Sequence, residues 1–148
     1  MSADSRYTRA HVQACRAELD AQVAAYRDLI AAASRASGMS LTRIDAAFAA
    51  FEPGYFNNLL IALEARFVHH LRDANTSPKS CSPIDEVRLI VASLIAHGGV
   101  MTADDAIAYD ADKAVIRLEL GDRIALNAED FETLSAAFFA EIEAKYPG

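Results

Sequence analysis

The stretch from Tyr55 to Arg72 constrains this chain more than any other, because its apolar residues leave only one side of a helix for anything else. At about 100° per residue, Phe56, Leu59, Leu60, Leu63, Phe67 and Leu71 form one broad stripe, and Ile61 and Val68 fall on the far side. A helix apolar on two sides belongs inside a bundle, so partner helices must surround it. Its third side, Asn58, Ala62, Ala65 and His69, is built from small or short polar residues and leaves room for a partner helix or a ligand.

The partners are legible on either side of it. From Thr8 to about Arg35, Val12, Cys15, Leu19, Val23, Tyr26, Ile30 and Ala33 recur at spacings of three and four, which predicts a long, alanine-rich amphipathic helix stopped near Gly38. Ser40 caps a short helix carrying Leu41, Ile44, Phe48 and Phe51, and Glu52-Pro53-Gly54 is expected to break or kink it before the central helix begins. A polar run from Asp73 to Ser80 reads as a loop. Ser82-Pro83-Ile84-Asp85 then combines an N-cap, a proline at the first helical position and an acid two residues on, and predicts a helix to His97 ended by Gly98-Gly99.

Beyond Met101 the period changes from helical to alternating. Ile107 and Tyr109, then Ile116, Leu118 and Leu120, then Ile124 and Leu126 predict three short strands, with Gly121-Asp122 as a two-residue hairpin loop. Asn127 caps a last helix bearing Phe131, Leu134, Phe138, Ile142 and Tyr146. The expected fold is therefore mainly α with an α+β end: one domain over residues 1–148, a helical bundle of four or five helices with a C-terminal three-stranded antiparallel meander covered by the last helix.

Composition narrows function by exclusion. At 53% hydrophobic residues and 24% charged ones the 148-residue chain has the material for a packed core, and its net charge of −7 repels a polyphosphate, so no nucleic-acid partner is expected. Met1 to Thr8 is polar with no apolar run behind it and no window is apolar enough for a span, so a cytoplasmic protein with no membrane partner is expected. Cys15 and Cys81 read as free thiols, with no C-x-x-C, and neither shows a basic partner in the sequence. There is no G-x-S-x-G and no glycine-rich phosphate loop, so no catalytic residue is assigned.

The candidate ligand residues are Asn58, His69, Glu86, His97 and Arg88, lining a space between the central helix (55–72) and the helix 83–97. His69 and His70 are adjacent and diverge around a helix, so they make a poor metal pair, and Glu64 stands five and six positions away from them. A joint site of His69, Glu86 and His97 with His11 would suit a divalent ion, but no pair lies at ligand spacing, and neither metal nor cofactor is expected. Arg66 and Arg88, at the edges of their stripes, read as ion-pair residues, with Glu86 as a possible acid for Arg66. Asn57 and Asn58 in a buried helix must bond neighbouring backbone or line a wet cavity.

The runs Tyr55-Phe56-Asn57-Asn58-Leu59-Leu60, Phe67-Val68-His69-His70-Leu71-Arg72, Asp85-Glu86-Val87-Arg88 and His97-Gly98-Gly99-Val100 resemble a small family of uncharacterised bacterial proteins of about this length, and the likeness extends to Phe138-Phe139-Ala140-Glu141. The resemblance implies a bacterial, cytoplasmic, single-domain protein and transfers no functional residue. Two functions follow as expectations: a non-enzymatic interaction or adaptor protein that forms a homo-oligomer through its first helix or a strand edge, or a small-molecule-binding helical protein or enzyme using the space between the two helices.

Overall fold

The computed structural model describes residues 9–36, 41–67, 81–105 and 107–145. They form four helices: α1 (Arg9–Ala36), α2 (Leu41–Ala65), α3 (Pro83–Ala96) and α4 (Ala128–Lys145). Both α2 and α4 pack on all of the other three. The face that α1 buries is the one its spacing foretells, with Val12, Cys15, Leu19, Val23 and Tyr26 in the core. Phe56, Phe67, Phe131, Phe138 and Phe139 are the largest side chains closed off completely, and they lie where α2 and α4 meet. No helix among the described residues is long and apolar enough to cross a membrane.

One departure from expectation lies in α2. The anticipated break at Pro53 is absent, and a single helix of 25 residues runs through it. An interior proline costs a helix about 3 kcal/mol, since it removes one hydrogen bond and crowds the preceding turn. Aromatic rings on both sides of the proline offset this. Phe48 and Phe51 before it, and Tyr55 and Phe56 after it, all meet the ring of Tyr26 on α1 at centroid distances of 5.1 to 6.2 Å. The two halves are thereby held against one anchor. At its other end the helix stops at Ala65, tightened by three-residue-back bonds from Arg66 N to the Leu63 carbonyl (3.2 Å) and from Phe67 N to the Glu64 carbonyl (3.0 Å), and the expected continuation over 68–72 lies outside the described residues.

Local signals at the ends of α3 and α4 are realised in full. Ser82 Oγ accepts from Asp85 N while Asp85 Oδ2 accepts from Ser82 N, both at 3.2 Å, which makes a capping box ahead of Pro83. At the far end the amides of His97 (3.0 Å) and Gly99 (3.1 Å) both reach the Ser93 carbonyl, a closure that places Gly98 at φ +62° where a side chain would be strained. Asn127 Oδ1 accepts from Asp130 N at 2.8 Å and starts α4.

The largest correction concerns residues 99–126. The three-stranded meander is not formed: among the described residues there is no strand, only one antiparallel bridge between Val100 and Arg123. Around that bridge, Met101 N meets the Asp122 carbonyl, Gly121 N the Met101 carbonyl and Ile124 N the Gly99 carbonyl, each at 2.8 Å. The Gly121-Asp122 turn exists, with Gly121 at φ +94°, but it joins no pair of strands. Elsewhere in the segment three polar side chains of the bundle do the work of a neighbouring strand. Ser93 Oγ accepts from Thr102 N (3.0 Å), and Glu86 accepts from Val115 N (2.7 Å) and Ile116 N (3.1 Å). Asn57 bonds both ways, donating from Nδ2 to the Ile124 carbonyl (3.0 Å) and accepting at Oδ1 from Leu126 N (3.1 Å). Backbone groups need partners, but not strand partners. The alternating apolar pattern is used all the same, since Ile107, Ile124 and Leu126 are buried on an irregular path.

Asn57→Ala should therefore loosen the 124–126 stretch. Removing one donor and one acceptor from half-buried backbone is expected to cost about 1–3 kcal/mol, read from the shift in the urea midpoint. A change below about 0.3 kcal/mol would show that water replaces the asparagine without penalty.

Candidate functional site

The residues singled out from the sequence are not gathered into one place. Asn58 is exposed on α2, and His97 is exposed at the C-terminal cap of α3. Glu86, by contrast, is 1% exposed in the first turn of that helix, and eleven residues of helical rise separate it from His97 by about 16 Å. Arg88 is half-buried and lies 3.9 Å from Asp85, its neighbour one turn back. His69 lies outside the described residues, as do His70, Leu71 and the loop that follows. Arg66 does not reach Glu86 and pairs instead with Glu18 of α1 at 2.7 Å.

On α3, Glu86, Ile90 and Ser93 are buried, while Ile95 is 68% exposed. The helix is turned so that its two short polar groups meet the backbone of the segment that follows. This segment and Cys81 form a groove of about 860 Å³ whose lining includes Cys81, Tyr109, Asp110, Lys113, Glu119 and Leu120. Burial pushes the Cys81 thiol up; a backbone hydrogen bond at Asp110 lowers it, and the charges of Glu86, Asp85 and Asp110 raise it again. Burial likewise raises Tyr109, with the charges of Glu86, Cys81, Glu119 and Asp122 adding to it, and its hydroxyl donates to the Leu118 carbonyl. A thiol held protonated is a poor nucleophile, and the groove has the size of a ligand site.

A second cluster was missed in the sequence. Cys15 Sγ lies 3.7 Å from His11 Nε2 and 3.6 Å from Arg66 Nη1, and Arg66 is held in turn by Glu18. Hydrogen bonds to Glu18 and Cys15 hold the Arg66 guanidinium above its ordinary value, and the same arginine holds the Glu18 carboxyl below its own. The spacing of four between His11 and Cys15 was the available signal, because it places both on one helix face. The thiol itself is 3% exposed and packed in the core, which closes it to a substrate. Among the described residues no group of three or more His, Cys, Asp or Glu side chains is placed to hold a metal ion.

The most open chemistry is aromatic. Tyr26 sits at the centre of Phe48, Phe51, Tyr55 and Phe56, and the Phe51 ring lies nearly parallel to both Tyr26 (6.2 Å, 13°) and Tyr55 (5.4 Å, 26°). The outermost member of this stack is Phe51, half exposed at 50%, and on α1 Leu29 is 56% exposed. Burial, with Glu52 beside it, raises the Tyr26 phenol. Its rigid rings are already ordered, so little entropy is lost when something covers them. No protein-family model, curated protein or solved structure matches this chain.

Proposed function

We propose that this is a non-enzymatic interaction protein that self-associates through the face shared by the C-terminal part of α1 and the first half of α2. The observation that supports this most is Phe51, a large ring stacked on two others yet half open to solvent, with Leu29 exposed on the adjoining helix. Preordered aromatic side chains are frequent energetic centres of interfaces. The proposed occupant is a second copy of the chain. Charges of both signs stand exposed on each of the two elements, Asp28 and Arg35 on α1 and Arg43 and Asp45 on α2, so the face carries no net like-charge barrier to a second copy.

The test is sedimentation velocity of the wild type and Phe51→Asp over a range of concentrations. The variant is expected to weaken self-association about 30-fold or more, the loss of a central aromatic contact worth about 2 kcal/mol. Phe51 is half exposed but also stacks on Tyr26 beside Pro53, so the variant should lose about 1 kcal/mol of stability and still fold, which far-UV circular dichroism checks. Unchanged sedimentation in the variant would refute this face as the interface. A second reading, small-molecule binding, is favoured by the size of the groove lined by Cys81, Tyr109 and Lys113 and predicts saturable ligand retention by a monomer.

A further inference from the structure

Glu86 is an unusual group to find in this core. It is 1% exposed, it forms no salt bridge among the described residues, and both of its oxygens are committed to the successive amides of Val115 and Ile116. Those two residues lie between the stretches 108–113 and 119–120 that line the groove, and Arg117, directly after them, holds a left-handed backbone at φ +53°. The segment is thus pinned at one point, by one carboxylate, next to a strained residue.

Glu86 itself is governed by burial and its two amide donors, and the acids nearby act on its neighbours Cys81 and Tyr109. Cys81 and Asp85 stand at the head of α3, and Tyr109, Asp110, Glu119 and Asp122 come from the segment itself. From α4, Glu141 accepts from Ile84 N and is paired with Lys145. On α2 the ionisable residues nearest its C-terminal end are Glu64 and Arg66, and Arg66 reaches Glu18. Arg88 on α3 pairs with Asp85. The segment carries two cations of its own, Lys113 and Arg117, and neither they nor Arg88 form a salt bridge with Glu86 among the described residues.

We propose that Glu86 is a proton-controlled clasp on residues 113–118, holding them most firmly when it carries a proton and letting them open as it ionises, so that the shape of the adjoining groove follows pH. An ionised carboxylate without a cation loses more by leaving water than it gains from two amides, whereas a protonated one still accepts at its carbonyl oxygen. Burial accordingly raises the Glu86 carboxyl above its ordinary 4.5, with the two backbone hydrogen bonds only partly lowering it. A group that binds its proton more tightly clasped than open favours the clasped state at low pH. That preference fades as pH rises from 4.5 through the raised value.

Amide exchange measured by NMR across this range, corrected for the intrinsic pH dependence of exchange, tests the clasp directly. Protection of the Val115 and Ile116 amides is expected to fall by up to about tenfold per pH unit above 4.5 and then to level, while the Phe131 amide, bonded to the Asn127 carbonyl at the start of α4, does not follow. In Glu86→Gln the slope should vanish. Protection that rises with pH, or the same slope in Glu86→Gln, overturns the proposal. Should that variant not fold, the sign of the wild-type slope against Phe131 decides alone. The readout needs neither self-association nor a ligand, so it stands or falls apart from the proposed function.

Discussion

Phe138→Ala is expected to destabilise the protein by about 3–5 kcal/mol, a large part of the roughly 5–15 kcal/mol that a domain of this size holds. The ring is fully buried on α4 and meets Phe67 edge-on at 5.5 Å and Phe139 at 5.7 Å. Phe67 follows the last turn of α2 and is itself fully buried, against Phe139 at 6.0 Å as well as Phe138. Removing the ring opens a cavity where two helices converge, and neither neighbour can fill it without leaving the other. Urea denaturation should show a lower midpoint at an unchanged slope, since the unfolded state exposes nearly the same surface. A loss below about 1.5 kcal/mol would mean that the site collapses around the smaller side chain.

Glu86→Ala should cost about 2–4 kcal/mol, by another route. Two amides lose their acceptor, a penalty of about 1–3 kcal/mol each where water cannot reach, and the removal of a buried charge returns part of it. The damage should be local first: protection at Val115 and Ile116 is expected to disappear before the helices unfold. Glu86→Gln keeps one acceptor and removes the charge, so it should be the milder of the two. Equal stability of Glu86→Ala and wild type would show that Val115 and Ile116 find other partners.

The contrast between these two sites shows what the sequence can carry. Spacing alone identified the buried face of α1 and the Phe131, Leu134, Phe138 and Ile142 face of α4, because helical periodicity is a local property. The caps at Ser82 and Asn127 and the stop at Gly98-Gly99 were legible for the same reason. The alternation from Ile107 to Leu126 was misread as strands, since a period of two reports only that alternate side chains are buried. Which groups satisfy the backbone is decided at long range, by Glu86 from 29 residues away and by Asn57 from 67 and 69 residues away. Likewise Pro53 sits inside a helix because Tyr26 of another helix holds the rings on both sides of it.

The site was less legible than the fold. Asn58 and His97 reach solvent, and Glu86 was singled out for its chemistry but is bound to backbone. Its helix turns Ser93 inward and Ile95 outward because Ser93 has Thr102 N to bind, a choice that hydropathy alone reverses. Phe51 looked like one more core residue of a helical stripe, and only the packing of α1 on α2 shows its ring half uncovered.

Native mass spectrometry of the gently purified wild type tests the central claim most directly, because one spectrum reports both stoichiometry and retained mass. Self-association through the Phe51 face predicts a dimer with no added mass, reverting to monomer in Phe51→Asp. A wild type that remains monomeric at every concentration, above all one that carries a bound small molecule, would contradict it.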